Sequence, residues 1–315
     1  MASKALAGYQ SAQLQVPYKK RFSGSSHDWL VTVEENFGLT IINPFSSATI
    51  QFPPIMDRSI FKAPKIDVEY FVTKVILSDD PTSSPNDYIA TAIYGDCKTL
   101  AFIRVRDEAW TYIDKKRFQI ISDVIYYEGQ IFAVDYNGGI LMIDVNRRAG
   151  ESMAPQVEVI GPDTNVYSQP MYLVESSRSD LLLVYRFLEY DDDSQHTTSG
   201  FKVFKLLLDQ FEQGWHKQVE VKSLDGDTLF LRDNHSICVS ASKWPGCQAN
   251  SICYTDDYTN IHFHPPSGRR DIGIYNMENG SFGTHYILDP SHKHMPPSIW
   301  IAPTTVFHKP LLSRI

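Results

Sequence analysis

Residues 120–145 read Ile120-Ile121-Ser122-Asp123-Val124-Ile125-Tyr126-Tyr127-Glu128-Gly129-Gln130-Ile131-Phe132-Ala133-Val134-Asp135-Tyr136-Asn137-Gly138-Gly139-Ile140-Leu141-Met142-Ile143-Asp144-Val145. Three runs of β-branched, aromatic and aliphatic residues are separated by Glu128-Gly129 and Asn137-Gly138-Gly139, pairs that accept the positive φ a tight hairpin requires. Val157 to Ile160 supplies a fourth run. The stretch predicts a four-stranded antiparallel meander.

Working outward, the same grammar recurs. Trp29 to Val33, Leu39 to Ile42 and Thr49 to Phe52 precede it, followed by Phe71 to Leu77, Tyr88 to Tyr94, Leu100 to Val105 and Trp110 to Ile113. After it come Met171 to Val174, Leu181 to Leu188, Phe201 to Leu208 and Trp215 to Val221. The last group holds Leu229 to Leu231, Ile237 to Ser240, Ile252 to Tyr254, Ile272 to Asn276, Phe282 to Ile287 and Ile299 to Ala302. Helical periodicity is scarce, and groups of about four strands at blade spacing predict an all-β propeller of four-stranded antiparallel blades. Strands such as Phe71 to Leu77 are apolar nearly throughout, as expected where neighbouring blades cover both faces. Repeat spacing is irregular and no WD or Kelch motif recurs, so a pair of stacked sheets is the competing architecture.

The composition of the 315-residue chain narrows the function classes. It is 43% hydrophobic and 12% aromatic, which gives a large core and argues against disorder. A formal net charge of −8, from 29 basic and 37 acidic residues, argues against a dedicated nucleic-acid binder. The start lacks the apolar stretch of a secretory signal, and no later run approaches the ~20 apolar residues of a membrane span. Four cysteines, Cys97, Cys238, Cys247 and Cys253, are too few for a disulfide framework. Cytoplasm, nucleus or both is the expected compartment, with no membrane or nucleic-acid partner.

Candidate chemistry is sparse. Ser25-Ser26-His27-Asp28 sets a hydroxyl, an imidazole and a carboxylate in sequence, but neighbours on an extended segment point apart. His262 with His264, and His292 with His294, have the spacing of paired imidazole ligands, with Cys253 or Asp256-Asp257 as further donors. Both pairs run into double prolines, a loop composition. Asp256-Asp257 and Asp225 with Asp227 are the carboxylate pairs to test for acid–base work. Cys97 and Cys238 read as small core residues. No catalytic, cofactor-binding or metal residue is assigned, no cofactor is expected, and the chain is read as a non-enzyme. The acidic segment Glu189 to Gly200 reads as an exposed loop able to contact a basic partner.

Several stretches carry a family resemblance. Phe22-Ser23-Gly24-Ser25-Ser26-His27-Asp28-Trp29, Ile42-Asn43-Pro44-Phe45, Asp233-Asn234-His235-Ser236, Pro245-Gly246-Cys247 and Ile252-Cys253-Tyr254-Thr255-Asp256-Asp257 are the most specific. Together with Asp271-Ile272-Gly273-Ile274-Tyr275 and Ile299-Trp300 they resemble the plant F-box-associated propeller family of the KIB type, over about residues 17 to 302. The resemblance implies a protein-interaction propeller like the substrate-recognition module of F-box, cullin-based ubiquitin ligases, with unknown target proteins on one rim and no catalytic residues. A stand-alone binding or competing protein is the alternative; a small-molecule enzyme using the channel is a third class.

Three departures accompany it. Residues 1–16 are too short for the F-box that would grip a Skp-type adaptor, so adaptor binding is not expected. The resemblance then implies either a shortened paralogue or a gene model that lost its first exon. The organisation expected is a short extension over 1–16 and a propeller over 17–315, with the ring incompletely closed at its N-terminal side and Leu14 and Val16 available to complete a blade. Asp28 stands where family members commonly have glycine.

Overall fold

The computed structural model describes residues 20–55, 68–114, 120–145, 155–161, 169–192, 196–207, 217–244, 246–257, 271–284, 299–301 and 313–314. Blade 1 is β1 (Phe22–Ser26), β2 (Trp29–Val33), β3 (Leu39–Ile42) and β4 (Thr49–Phe52). A single helical turn, α1 (Val68–Phe71), leads into blade 2: β5 (Val72–Leu77), β6 (Ile89–Tyr94), β7 (Thr99–Arg104) and β8 (Thr111–Tyr112). Blade 3 is β9 (Ile121–Tyr127), β10 (Gln130–Asp135), β11 (Ile140–Asp144) and β12 (Gln156–Val159). Blade 4 is β13 (Met171–Glu175), β14 (Leu181–Tyr190), β15 (His196–Leu207) and β16 (Lys217–Val221). Each is an antiparallel meander, and the five sheets stand in a ring. The fold is the propeller the strand groups predict.

The fifth sheet departs from that pattern. Its order is β18 (Ile237–Ser240), β17 (Asp227–Leu231), β19 (Ser251–Tyr254), β20 (Gly273–Asn276) and β21 (Phe282–Gly283), and β17 pairs with β19 in parallel. The β17–β18 hairpin therefore turns inward, and β18 is the strand nearest the hub.

Apolar clusters fill the gaps between blades. Val31, Ile41 and Phe52 of blade 1 pack on Val75, Ala92 and Trp110 of blade 2. Ile93 and Phe102 meet Val124, Ala133 and Leu141 across the next gap. Leu173, Leu183 and Tyr185 cover Phe132 and Val134, and Val184 and Val203 cover Leu229, Leu231 and Ile252. The last gap is closed by β22 (Trp300–Ile301), which pairs with β23 (Ser313–Arg314). Strand alternation sends Ile299 and Ile301 against Phe22 and Leu30 of blade 1, and Trp300 against Phe230, Val239 and Cys253 of blade 5. Among the described residues no shared sheet ties blade 5 to blade 1, and this short pair wedges the junction. Blade 1 already has its four strands from Phe22 onward, and residues 1–16 lie outside the described residues.

Turn chemistry explains the hairpins. Glu128 and Gly129 both have positive φ, 47° and 82°, as the sequence predicts. The Ser26–Trp29 turn is built from His27 at 49° and Asp28 at 69°. Asp28 thus occupies a left-handed position, which aspartate tolerates better than most residues with a Cβ.

Candidate functional site

The starts of the inner strands gather on one face of the ring, and there a chain of buried polar contacts stitches each blade to the next. Arg21, just ahead of β1, donates to the Val72 carbonyl at 3.0 Å and the Thr73 carbonyl at 3.4 Å, joining blade 1 to blade 2. Lys74 of β5 binds Asp123 of β9 at 2.5 Å, with both side chains buried. The other Asp123 oxygen accepts the Leu173 N–H of β13 at 2.8 Å, so one carboxylate spans three blades. Arg21 also pairs with Asp233 at 3.2 Å, and Asn234 donates to the Phe22 carbonyl at 2.8 Å, joining blade 5 back to blade 1. Burial pushes the Asp123 carboxyl up, while Lys74 and the Leu173 and Val124 amides pull it back.

Blade 4 carries the most distinctive feature. The β13–β14 ladder ends at Met171↔Tyr185, yet β14 and β15 continue pairing to Tyr190↔His196. Residues 187–190 and 196–200 therefore project from the face as a two-stranded arm, kinked where the register shifts between Phe187 and Leu188. Its base is clamped by Arg186, which is 1% exposed. The guanidinium donates to the Thr198 hydroxyl at 2.8 Å, the Thr255 carbonyl at 2.8 Å, Asp257 at 3.2 Å and Asp271 at 2.8 Å, and stacks on Tyr254 with its carbon 4.8 Å from the ring centre. Thr198 in turn donates to Asp271 at 2.6 Å, and the Tyr172 hydroxyl to Asp257. Burial works against the charge on Arg186, but Tyr172, Asp257 and Asp271 outweigh it and hold the guanidinium firmly protonated. Burial raises the Asp257 carboxyl, opposed by Arg186. The arm is thus held rigidly where an unanchored hairpin would sway.

At the tip, Glu189, Tyr190, Asp191 and Asp192 are exposed, and Tyr190 stacks beside His196 with ring centres 6.0 Å apart. Where the sequence suggests a loop over 189–200, Glu189–Tyr190 and His196–Gly200 are strand, paired in the β14–β15 ladder. Below the tip, His196 Nε2 lies 3.6 Å from Asp256, which also accepts the Asp271 N–H at 3.1 Å. The ligating atoms of His196, Asp256 and Asp271 fall within 4.8 Å of one another. These donor types fit a divalent metal, but Asp271 already serves Arg186 and Thr198, and a cation here would sit beside a guanidinium. The cluster acts as an ion-pair network that fastens the arm to blade 5.

Ser25 and Asp28 are buried, His27 is exposed, and the Ser26 hydroxyl donates to the Leu77 carbonyl at 3.3 Å; the four form a turn and an inter-blade contact. Asp225 pairs with Arg178 on the opposite face, and Asp227 accepts from the Ser177 N–H at 3.0 Å and hydroxyl at 2.6 Å. Asp256 and Asp257 diverge, the first toward His196 and the second toward Arg186. Cys253 is buried and Cys238 half-buried, but Cys97 is exposed in the β6–β7 turn and is no core residue. Burial pushes the Cys247 thiol up to about 11, the opposite of an activated nucleophile. His262, His264, His292 and His294 lie outside the described residues. Arg186 and Asp271 were missed, because an arginine inside the apolar run Leu181 to Leu188 carries no motif and its carboxylate partners Asp257 and Asp271 lie 71 and 85 residues away.

Two further ionisable side chains, those of Lys98 and His235, are shifted from their ordinary values. Lys98, from the β6–β7 turn, is held down by burial while Asp233 and Asp257 pull it up. His235 is pushed down to about 3, by burial first and then by Lys74 and His27. A histidine depressed in the folded state is protonated preferentially by the unfolded chain, so its contribution falls as pH drops below about 6.5 toward 3. His235→Gln should therefore gain on the parent as pH falls, by up to about 2 kcal/mol at pH 5. Urea titrations of both proteins at pH 7 and 5 check this; a constant difference contradicts it.

A family model described as KIB1-4 beta-propeller matches residues 5–276. The F-box protein SKIP23 of Arabidopsis thaliana is 26% identical over 333 residues, covering 93% of this chain and 78% of that protein. A putative F-box protein of Arabidopsis thaliana, At5g55150, is 24% identical and covers 92% of this chain and 78% of its own length. Among solved structures, the Cps50 (Swd1) β-propeller domain of Myceliophteria thermophila aligns with 83% of this chain and 71% of that chain, at 9% identity and a TM-score of 0.42. A likeness that distant carries no functional argument.

Proposed function

The chain belongs to the KIB1-4 β-propeller family, and on that premise we propose that it is a protein-recognition propeller, a binder rather than a catalyst, that docks its targets on the face bearing the blade 4 arm. The carrying observation is the clamped hairpin. A projecting element whose base is fixed by Arg186, Thr198, Asp257 and Asp271 loses little conformational freedom on binding, which favours affinity. The hub ions Arg21, Lys74, Asp123 and Arg186 are engaged in inter-blade bonds, which suits a scaffold better than proton transfer. F-box relatives along most of the chain support a place in ubiquitin-ligase substrate recognition, in cytoplasm or nucleus.

The test replaces residues 189–197 with Asn-Gly in the full chain and compares the proteins that both forms retain from plant extract. Loss of a reproducible set by the shortened, still folded form is expected. An unchanged set overturns the assignment of the arm. Titration with recombinant Skp-type adaptor separates delivery to a ligase from simple sequestration.

A further inference from the structure

The face beside the arm has a definite chemistry. Tyr190 at the arm tip is 51% exposed, and Tyr136, in the β10–β11 turn of blade 3, is 38% exposed. β10 of blade 3 and β14 of the adjoining blade 4 both run toward this face, so their ends open on it in neighbouring blades. The two phenols lie within electrostatic reach: burial and then the Tyr136 hydroxyl push Tyr190 up. Ile120, 44% exposed, adjoins Tyr136, whose N–H binds the Ile120 carbonyl at 2.7 Å. Glu189, Asp191 and Asp192 are exposed around the tip, and Asp256 lies beside His196, the ladder partner of Tyr190.

Two phenol faces bordered by carboxylates attract cations twice over, through the ring quadrupole and through direct charge. The arm already makes such a contact within the chain: Lys202 sits over the Phe187 ring with its nitrogen 5.9 Å from the centre. We propose that the Tyr136–Tyr190 rim, with its surrounding carboxylates, docks a lysine- and arginine-rich segment of the partner protein. This deepens the assignment of the arm as the docking element and rests on it. The partner's cationic side chains lie along the phenol faces, their aliphatic stems cover Ile120, and their charged ends meet Asp191, Asp192 and Glu189.

The probes are two fluorescent peptides, a lysine–glycine repeat of net charge +6 and a glutamate–glycine repeat of net charge −6, titrated into the full chain. The cationic peptide should bind at least about tenfold more tightly, and weaken as salt rises. Tyr136→Leu with Tyr190→Leu, which alters no charge, should weaken it by roughly five- to tenfold, as should Asp191→Asn with Asp192→Asn. Equal binding of both peptides, or cationic binding unmoved by both paired substitutions, overturns the proposal. A photocrosslinker at exposed Thr197, with the crosslinked partner segments sequenced, keeps the two readings apart. Crosslinks to neutral or acidic segments leave the arm as the docking element and refute only the cationic partner.

Discussion

Arg186→Met is expected to destabilise the folded chain by about 3–5 kcal/mol, the range for removing one member of a buried ionic set. Methionine fills much of the volume, so the cost is electrostatic. Asp257 and Asp271 remain buried without their guanidinium, and the Thr255 carbonyl loses its donor. In a chain of this size the melting temperature falls by on the order of 10 °C. Arg186→Lys should recover only part of this, because one ammonium cannot reach Thr198, Thr255, Asp257 and Asp271 together. Denaturant titration of the three proteins measures it. A loss below about 1 kcal/mol for Arg186→Met would show that the arm is anchored by other contacts.

Lys74→Met should cost a similar amount near pH 7, about 3–5 kcal/mol, with a different pH dependence. The lysine removed is the cation that neutralises Asp123, leaving that carboxylate with the Val124 and Leu173 amides alone. Burial already pushes Asp123 up in the intact protein, and without Lys74 the rise is greater. An acid with a raised folded-state pKa takes its proton more readily in the folded chain, so the deficit shrinks as pH falls toward about 4. Lys74→Met with Asp123→Asn should regain most of the loss at pH 7. A deficit that stays constant from pH 8 to 5, or a double variant no better than the single one, contradicts this account.

How far the sequence foretold the structure follows from what each residue type reveals. Ile89 to Tyr94 and Ile121 to Tyr127 were legible because strands covered on both faces leave little room for anything but apolar residues. β1 was not: Phe22-Ser23-Gly24-Ser25-Ser26 holds one large apolar residue among small polar ones and does not stand out as a strand run. It is an inner strand whose small residues let it approach β5 at backbone distance. A Cβ at Gly24 would overlap the Val75 carbonyl oxygen. The parallel β17–β19 pair was hidden because hairpin chemistry describes neighbours in sequence, and this pairing skips a strand. The hub network was invisible for the same reason. Arg21, Asp123, Arg186 and Asp233 are single polar residues in unrelated stretches, and only ring closure brings them together. The acidic tip could be seen as a partner contact in the sequence; its rigid base and its Tyr136 neighbour could not.

The account depends on targets being held at the arm. Photocrosslinkers placed separately at Thr197 on the arm and at Glu278 in the β20–β21 turn of the opposite face, each in the full chain in plant extract, test this directly. Partner adducts at Thr197, suppressed by an excess of unlabelled full chain but not by an excess of the form with residues 189–197 shortened to Asn-Gly, are the predicted result. Adducts at Glu278 with none at Thr197 would contradict it.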